Sequence, residues 1–221
     1  MSDLIRIRKA IGALPTYKAG KKAQAVAGLE AFKLSSNENP LPPLPGIVDV
    51  INQAALDVNR YPDPLTTELT AALAKRFDVS TKCIATGTGS VGVCQQIVQA
   101  VADAGDEVIF AWRSFEAYPI ITTIAGAVPI RVALDGELGH DLDAMAAAIT
   151  ERTALILVCT PNNPTGTTVT QKQFDDFMQK VPADVLVIVD EAYVEFNRDD
   201  SAVDGLAAFR KYSNVGVLRT F

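Results

Sequence analysis

The sequence predicts an α/β fold with a mostly parallel sheet flanked by helices. Three observations predict it. Short β-branched runs alternate with helical segments from Cys83 to the last residues. Two of those runs, A-L-I-L-V-C (Ala154–Cys159) and V-L-V-I-V (Val185–Val189), are apolar throughout, as strands buried on both faces of a parallel sheet are. The loops that follow the strands are rich in Gly, Pro and Asn, and the second run ends in two carboxylates, Asp190 and Glu191. In open α/β sheets ligands sit at the carboxyl ends of the strands.

Composition narrows the function classes. The 221 residues are 48% hydrophobic and 21% charged, an ordinary globular mixture. A net charge of −6 argues against a nucleic-acid partner. No apolar run approaches the ~20 residues that span a membrane, and no apolar stretch follows the basic N-terminus as in a signal peptide. The expected location is therefore the cytoplasm. Cys83, Cys94 and Cys159 are too few and too scattered for a disulfide framework. His140, the lone histidine, has no cluster of metal ligands around it. It is expected to be an ordinary surface residue, and no metal site is expected.

The elements follow in order. Residues 1–32 are expected to be irregular or partly helical, because Pro15 and Gly20 break the segment. Tyr17 in this arm either pins it to the body or belongs to a site. Phe32–Leu34 is a short strand candidate. Pro40, Pro42, Pro43 and Pro45 then impose a stiff extended path, with Asn37 just before it as a ligand donor or a turn former. Ile47, Val50, Ile51, Ala54 and Val58 share one face of a helix over 46–58. After the break N-R-Y-P-D-P, Thr66 or Thr67 opens a helix to Phe77. Cys83–Thr86 is predicted as a short strand leading into G-T-G-S-V-G and a helix over 93–102. Strands are predicted at 107–111, 129–134, 154–159, 185–189 and 215–218, and helices at 120–127, 142–149 and 171–180.

The glycine turn opening a helix offers unpaired N–H groups and the positive end of a helix dipole, a seat for phosphate at Gly89, Ser90 and Val91. Gly87, Gly89 and Gly92 also match the dinucleotide pattern G-x-G-x-x-G. A nicotinamide dinucleotide would need an acid at the end of the next strand, and Ala111-Trp112-Arg113-Ser114 holds none. A tight turn without a ligand is the third reading. Four strand-end features taken together favour another phosphorylated ligand. They are the phosphate seat, an aromatic cover from Phe115 or Trp112, a rigid amide in N-N-P-T-G, and buried Asp190 with Tyr193 three residues on. A phosphorylated, protonatable aromatic ring with a phenolic oxygen uses all four. Pyridoxal 5′-phosphate has those parts, and a carboxylate beside its ring nitrogen keeps the pyridinium charged as an electron sink.

The motifs S-N-E-N-P (36–40), N-R-Y-P-D (59–63), G-T-G-S (87–90), W-R-S-F-E-A-Y-P (112–119), C-T-P-N-N-P-T-G (159–166), V-D-E-A-Y-V-E-F (189–196) and L-R-T-F (218–221) carry a resemblance. The chain resembles the fold-type I pyridoxal-phosphate aminotransferases, specifically the histidinol-phosphate aminotransferase group. The resemblance implies a seven-stranded-type sheet. It makes 1–35 an N-terminal arm with the start of a small domain, and 36–221 an incomplete large cofactor-binding domain. It implies that Gly89, Ser90 and Val91 hold the cofactor phosphate, with Thr220 beside them. Phe115 stacks on the ring, Asn163 and Tyr193 reach its phenolic oxygen, and Asp190 pairs with the ring nitrogen. Tyr61 reaches the phosphate of a second copy, so the resemblance implies a homodimer with shared sites. Tyr17 and Asn37 match substrate-side positions.

In this family the lysine that forms the Schiff base follows a stretch like L-R-T-F. It is expected as the second residue of a Ser-Lys pair just beyond Phe221, with the small C-terminal domain beyond it, so residues 1–221 alone are expected to be inactive. Within the group, the aromatic loop and G-S-V-G-V-C-Q-Q look more like an actinobacterial branch associated with aromatic amino acids. The implied reaction is transamination between an aromatic amino acid and a 2-oxo acid such as 2-oxoglutarate. Histidinol phosphate is the alternative substrate, and a catalytically inactive module of the same fold is another reading.

Overall fold

A computed structural model of the chain describes residues 5–12, 14, 26–31, 33, 36–39 and 41–221. Tyr17 and the strand candidate at Phe32 and Leu34 lie outside the described residues. The chain divides into two compact units, residues 1–14 with 70–221, and residues 15–69.

The larger unit is built on five parallel strands. In chain order they are β1 (Glu107–Trp112), β2 (Val128–Ala133), β3 (Thr153–Cys159), β4 (Leu186–Asp190) and β5 (Val215–Leu218), and the helices α1 (Lys9–Gly12), α2 (Ile47–Ala54) and α3 (Thr67–Phe77) come before them in the chain. They lie side by side in the order β2-β1-β3-β4-β5. The register pairs Phe110 with Leu157, Cys159 with Asp190, and Asp190 with Leu218, so the carboxyl ends form one edge. The chain leaves β1 in one direction to form β2 and returns to the other side of β1 to form β3. That reversal opens a crevice outside the ends of β1 and β3, the position where doubly wound sheets bind ligands.

Alternation along the strands explains the two layers of core. Val108, Phe110, Leu155, Leu157, Cys159 and Ile188 pack on one face with Cys94 and Val98 from α4 (Gly89–Val101) and Tyr118 and Ile121 from α5 (Ala117–Ala125). Ile109, Ala111, Ile156, Val158, Val187 and Val189 pack on the other face. Their partners there come from α6 (Leu142–Ala147), α7 (Gln171–Met178) and α8 (Gly205–Lys211). Helices on both faces leave the central strands no solvated side, which is why their sequences are apolar throughout.

Local chemistry sets several boundaries. Thr170 and Gln173 form a reciprocal capping box at the start of α7. Gly126, at φ 99°, ends α5 in the left-handed conformation glycine tolerates best. The sequence places this helix at 120–127, but it begins at Ala117, because Pro119 sits in its first turn where no N–H is needed. One expectation needs correction, and one helix is added. Cys83–Thr86 is not a strand: Thr81–Cys83 is a single 3-10 turn, and the extended backbone after it pairs with no strand among the described residues. The added helix is α8, which Asp204 caps by accepting from Ala207 N–H.

In the smaller unit a helix over Ile47–Ala54 continues as a 3-10 turn over Ala55–Asp57. Its apolar residues Ile47, Val50 and Ile51 are exposed. Asp63 accepts from the Thr67 N–H at 2.7 Å, which stops the turn N-R-Y-P-D-P and starts the helix Thr67–Phe77.

Candidate active site

The loops after β1 and β3 are tied together at the crevice by Asn162. Its Oδ1 accepts from Ser114 Oγ at 2.8 Å, and its Nδ2 donates to the Arg113 carbonyl at 3.1 Å and to Thr165 Oγ1 at 2.8 Å. His140 Nε2 lies 3.2 Å from the same Oδ1. His140 is therefore not a surface residue. It is 7% exposed and bridges to Leu134 as the chain returns from β2. Burial lowers its pKa below the usual imidazole value, and its Nδ1 has no hydrogen-bond partner. The sequence motifs point to Asn163 and not to Asn162, and nothing local in the sequence signals the contact between Asn162 and His140.

The fastened loops carry Phe115 and Asn163, both half-buried at the mouth of the crevice. Phe115 packs edge-on against Tyr118, with ring centroids 5.5 Å apart. Nearby, α4 starts at Gly89, whose φ of 67° turns the chain into the helix. Thr88, the residue before it, makes no side-chain cap bond, so the first-turn amides of Gly89, Ser90 and Val91 have no cap from that side chain. A Cβ at Gly92 would lie 2.8 Å from Thr88 Oγ1, so the turn packs too closely for a side chain there.

Asp190 ends β4 with 2% exposure. Its Oδ2 accepts from Tyr118 Oη at 2.5 Å and its Oδ1 from the Ala192 N–H at 3.1 Å. Both donors are neutral, and no cationic side chain pairs with Asp190 among the described residues. Burial raises its pKa, and the Tyr118 hydrogen bond opposes that. A buried carboxylate with hydrogen bonds but no counter-charge fits a cationic ligand group, because a partner charge offsets the desolvation cost. The donor set thus fits a protonated pyridine ring with a phosphate at the helix start.

Glu191 faces the other way. Its Oε1 accepts from the Gly205 N–H at 2.8 Å, and its Oε2 accepts from Arg219 Nε at 2.8 Å and Nη2 at 2.6 Å. The Arg219 guanidinium also lies over the Phe77 ring, 5.1 Å from its centroid. This pair anchors the end of β5 immediately before Thr220, which is exposed. Tyr193 is half-buried in the turn after β4, its ring centroid 6.4 Å from that of Phe196. Gly89, Ser90, Val91, Phe115, Asn163, Asp190, Tyr193 and Thr220 all belong to the larger unit. Tyr61 and Asn37 belong to the smaller one; both are exposed, and Asn37 has a φ of 50°.

Known proteins place this arrangement among relatives. The profile of the family described as aminotransferase class I and II matches residues 30–221. A protein named aromatic amino acid aminotransferase from Streptomyces coelicolor is 56% identical over 216 residues, covering 98% of this chain and 60% of its own length. One of the same name from Corynebacterium glutamicum is 51% identical over 215 residues, covering 97% of this chain and 62% of its own. The solved histidinol-phosphate aminotransferase of Sinorhizobium meliloti in complex with pyridoxal-5′-phosphate superposes with a TM-score of 0.81 at 26% identity. It covers 100% of this chain and 60% of its own. The chain thus spans about 60% of the length of the curated relatives it matches.

Proposed function

The chain belongs to the class I and II aminotransferase family, and on that premise we propose that the whole protein is a cytoplasmic, pyridoxal-phosphate-dependent aromatic amino acid aminotransferase. It moves an amino group between an aromatic amino acid and a 2-oxo acid such as 2-oxoglutarate. The cofactor supplies an electron sink for the carbanion chemistry of amino-group transfer. What this chain supplies is binding, orientation and charge. The first-turn amides of α4 and Ser90 hold the phosphate, with Thr220 closing on it. Phe115 covers one face of the ring, and Asn163 and Tyr193 donate to its phenolic oxygen. Asp190 holds the ring-nitrogen proton. A second copy contributes Tyr61, making a homodimer with shared sites, and Tyr17 and Asn37 lie on the substrate side.

The observation that carries the reading is Asp190, a buried carboxylate at the strand ends beside the crevice, with donors and no counter-charge among the described residues. Aromatic substrates are favoured over histidinol phosphate because the relatives above 50% identity bear the aromatic name, whereas the histidinol-phosphate enzyme is 26% identical. Full-length protein is assayed with phenylalanine and with histidinol phosphate, each with 2-oxoglutarate. A higher kcat/KM for phenylalanine is expected; preference for histidinol phosphate refutes the substrate. Asp190→Ala lowers transamination by about 10²-fold or more, the scale seen when a preorganised charge partner is lost. Near-normal activity of that variant removes the basis of the proposal.

A further inference from the structure

We propose that Tyr118 is a positioning residue for Asp190: its hydroxyl holds the carboxylate in place and keeps it ionised, so that the proton stays on the ring nitrogen of the cofactor. The inference rests on the reading of Asp190 just given and deepens it.

Tyr118 is the second residue of α5, in its first turn, and is fully buried. A buried phenol seeks a hydrogen-bond partner, and here the hydroxyl donates to Asp190 Oδ2 at 2.5 Å. Its ring is held on two sides, by Phe110 with centroids 5.7 Å apart and by Phe115 at 5.5 Å and near-perpendicular. One rigid side chain therefore links Phe115, which covers the ring, to Asp190, which meets its nitrogen. A shift of α5 would move both contacts together.

Among the described residues, the groups around Asp190 leave Tyr118 as the one side-chain donor. From α4 comes Cys94, and from β3 comes Cys159; burial pushes both thiols up to about 12. From α5 comes Tyr118 itself, pushed well above the usual phenol value by burial and by the Asp190 charge, so it stays protonated and keeps donating. Glu191, next in the chain, adds a like charge that makes Asp190 harder to ionise. Burial acts in the same direction, and only the Tyr118 hydroxyl and the Ala192 N–H oppose it. Without the hydroxyl, Asp190 takes up its proton at higher pH and meets the ring nitrogen as a neutral acid.

The test uses full-length apoprotein and equilibrium binding of pyridoxamine 5′-phosphate, which needs no covalent link. A 1-deaza analogue, with C–H in place of the ring nitrogen, is the control. Affinity for pyridoxamine phosphate falls as pH drops through the Asp190 titration. In Tyr118→Phe this acid limb is expected at higher pH, with about a tenfold loss per pH unit of displacement on the acid side, while deaza-analogue binding is unchanged. If Tyr118→Phe does not fold, 3-fluorotyrosine at 118 keeps the shape and strengthens the donor, and the limb is expected to move to lower pH. A limb that stays in place with Tyr118→Phe, or with fluorotyrosine where Phe does not fold, overturns the role of Tyr118. Asp190→Asn separates this from the parent reading. If it binds both ligands as the wild type does, Asp190 does not meet the ring nitrogen, and the proposed function fails instead.

Discussion

Replacing Glu191 with Ala tests whether the end of β5 is held by a buried charge pair. The carboxylate is 2% exposed and receives three hydrogen bonds, one from the Gly205 amide and two from Arg219. Truncation strands the Gly205 N–H in a site sealed from water, at a cost of about 1–3 kcal/mol. Breaking a buried ion pair by removing one partner costs about 3–5 kcal/mol in total. Arg219 retains 28% exposure of its side chain and can partly rehydrate, which puts the expected loss near the lower end, about 3 kcal/mol. For 221 residues that is a fall in Tm of roughly 6–12 °C, and proportionally less in the longer full-length protein. The assay is thermal and urea unfolding of full-length apoprotein. Glu191→Ala/Arg219→Met should lose less than the two single variants added, because the second change removes the orphaned charge. A loss below about 1 kcal/mol for Glu191→Ala, or strict additivity in the double variant, refutes the reasoning.

Three further outcomes are expected. A Cβ at Gly205 would lie 2.6 Å from Glu191 Oε1, so Gly205→Ala costs about 1–3 kcal/mol in the wild type and far less in Glu191→Ala, as urea titrations of the two backgrounds will reveal. Of the three cysteines, only exposed Cys83 reacts with a thiol reagent in the folded protein at pH 8. Cys94 and Cys159 are buried with pKa values pushed up to about 12, and they react only on unfolding, as mass spectrometry of the labelled chain will report. His140 is held neutral by burial, with a folded pKa below the value of 6.5 it has when exposed. The unfolded chain then binds the extra proton, so stability falls as pH drops below about 6.5. His140→Gln should flatten that part of the stability–pH curve.

The alternation of elements and the strand-end position of the site were legible because apolar runs and glycine-rich turns are local signals. Asp190 stood out because an acid at the end of V-L-V-I-V cannot be accidental packing material. The supports were less visible. Tyr118 lies 72 residues from Asp190, and nothing in A-Y-P-I-I says which way its hydroxyl points. Asn162 and His140 are 22 residues apart and meet only through the loop that leaves β2. The false strand at Cys83–Thr86 has the right composition but no ladder partner among the described residues, and a strand is defined by its neighbour. The helix α8 was missed because G-L-A-A-F-R-K is too short for a clear helical period.

The adjacent acids of D-E-A-Y gain separate roles from the two-residue period of a strand. Ile188 and Asp190 project to the face shared with Cys94 and Tyr118, while Val189 and Glu191 project to the face covered by α8. On the first side the carboxylate finds neutral donors and, among the described residues, no cation. Its charge is left uncompensated, and that deficit suits it to bind a cationic ring. On the second side the neighbouring carboxylate finds Arg219 and the Gly205 amide, and its charge is fully used in fixing β5. Exchanging the order to Glu-Asp would fail on both faces. A longer acid at 190 would collide with the Tyr118 hydroxyl, already at 2.5 Å. A shorter one at 191 would fall about one methylene short of Gly205 and Arg219. The same charge thus serves chemistry or stability according to whether the fold gives it a partner.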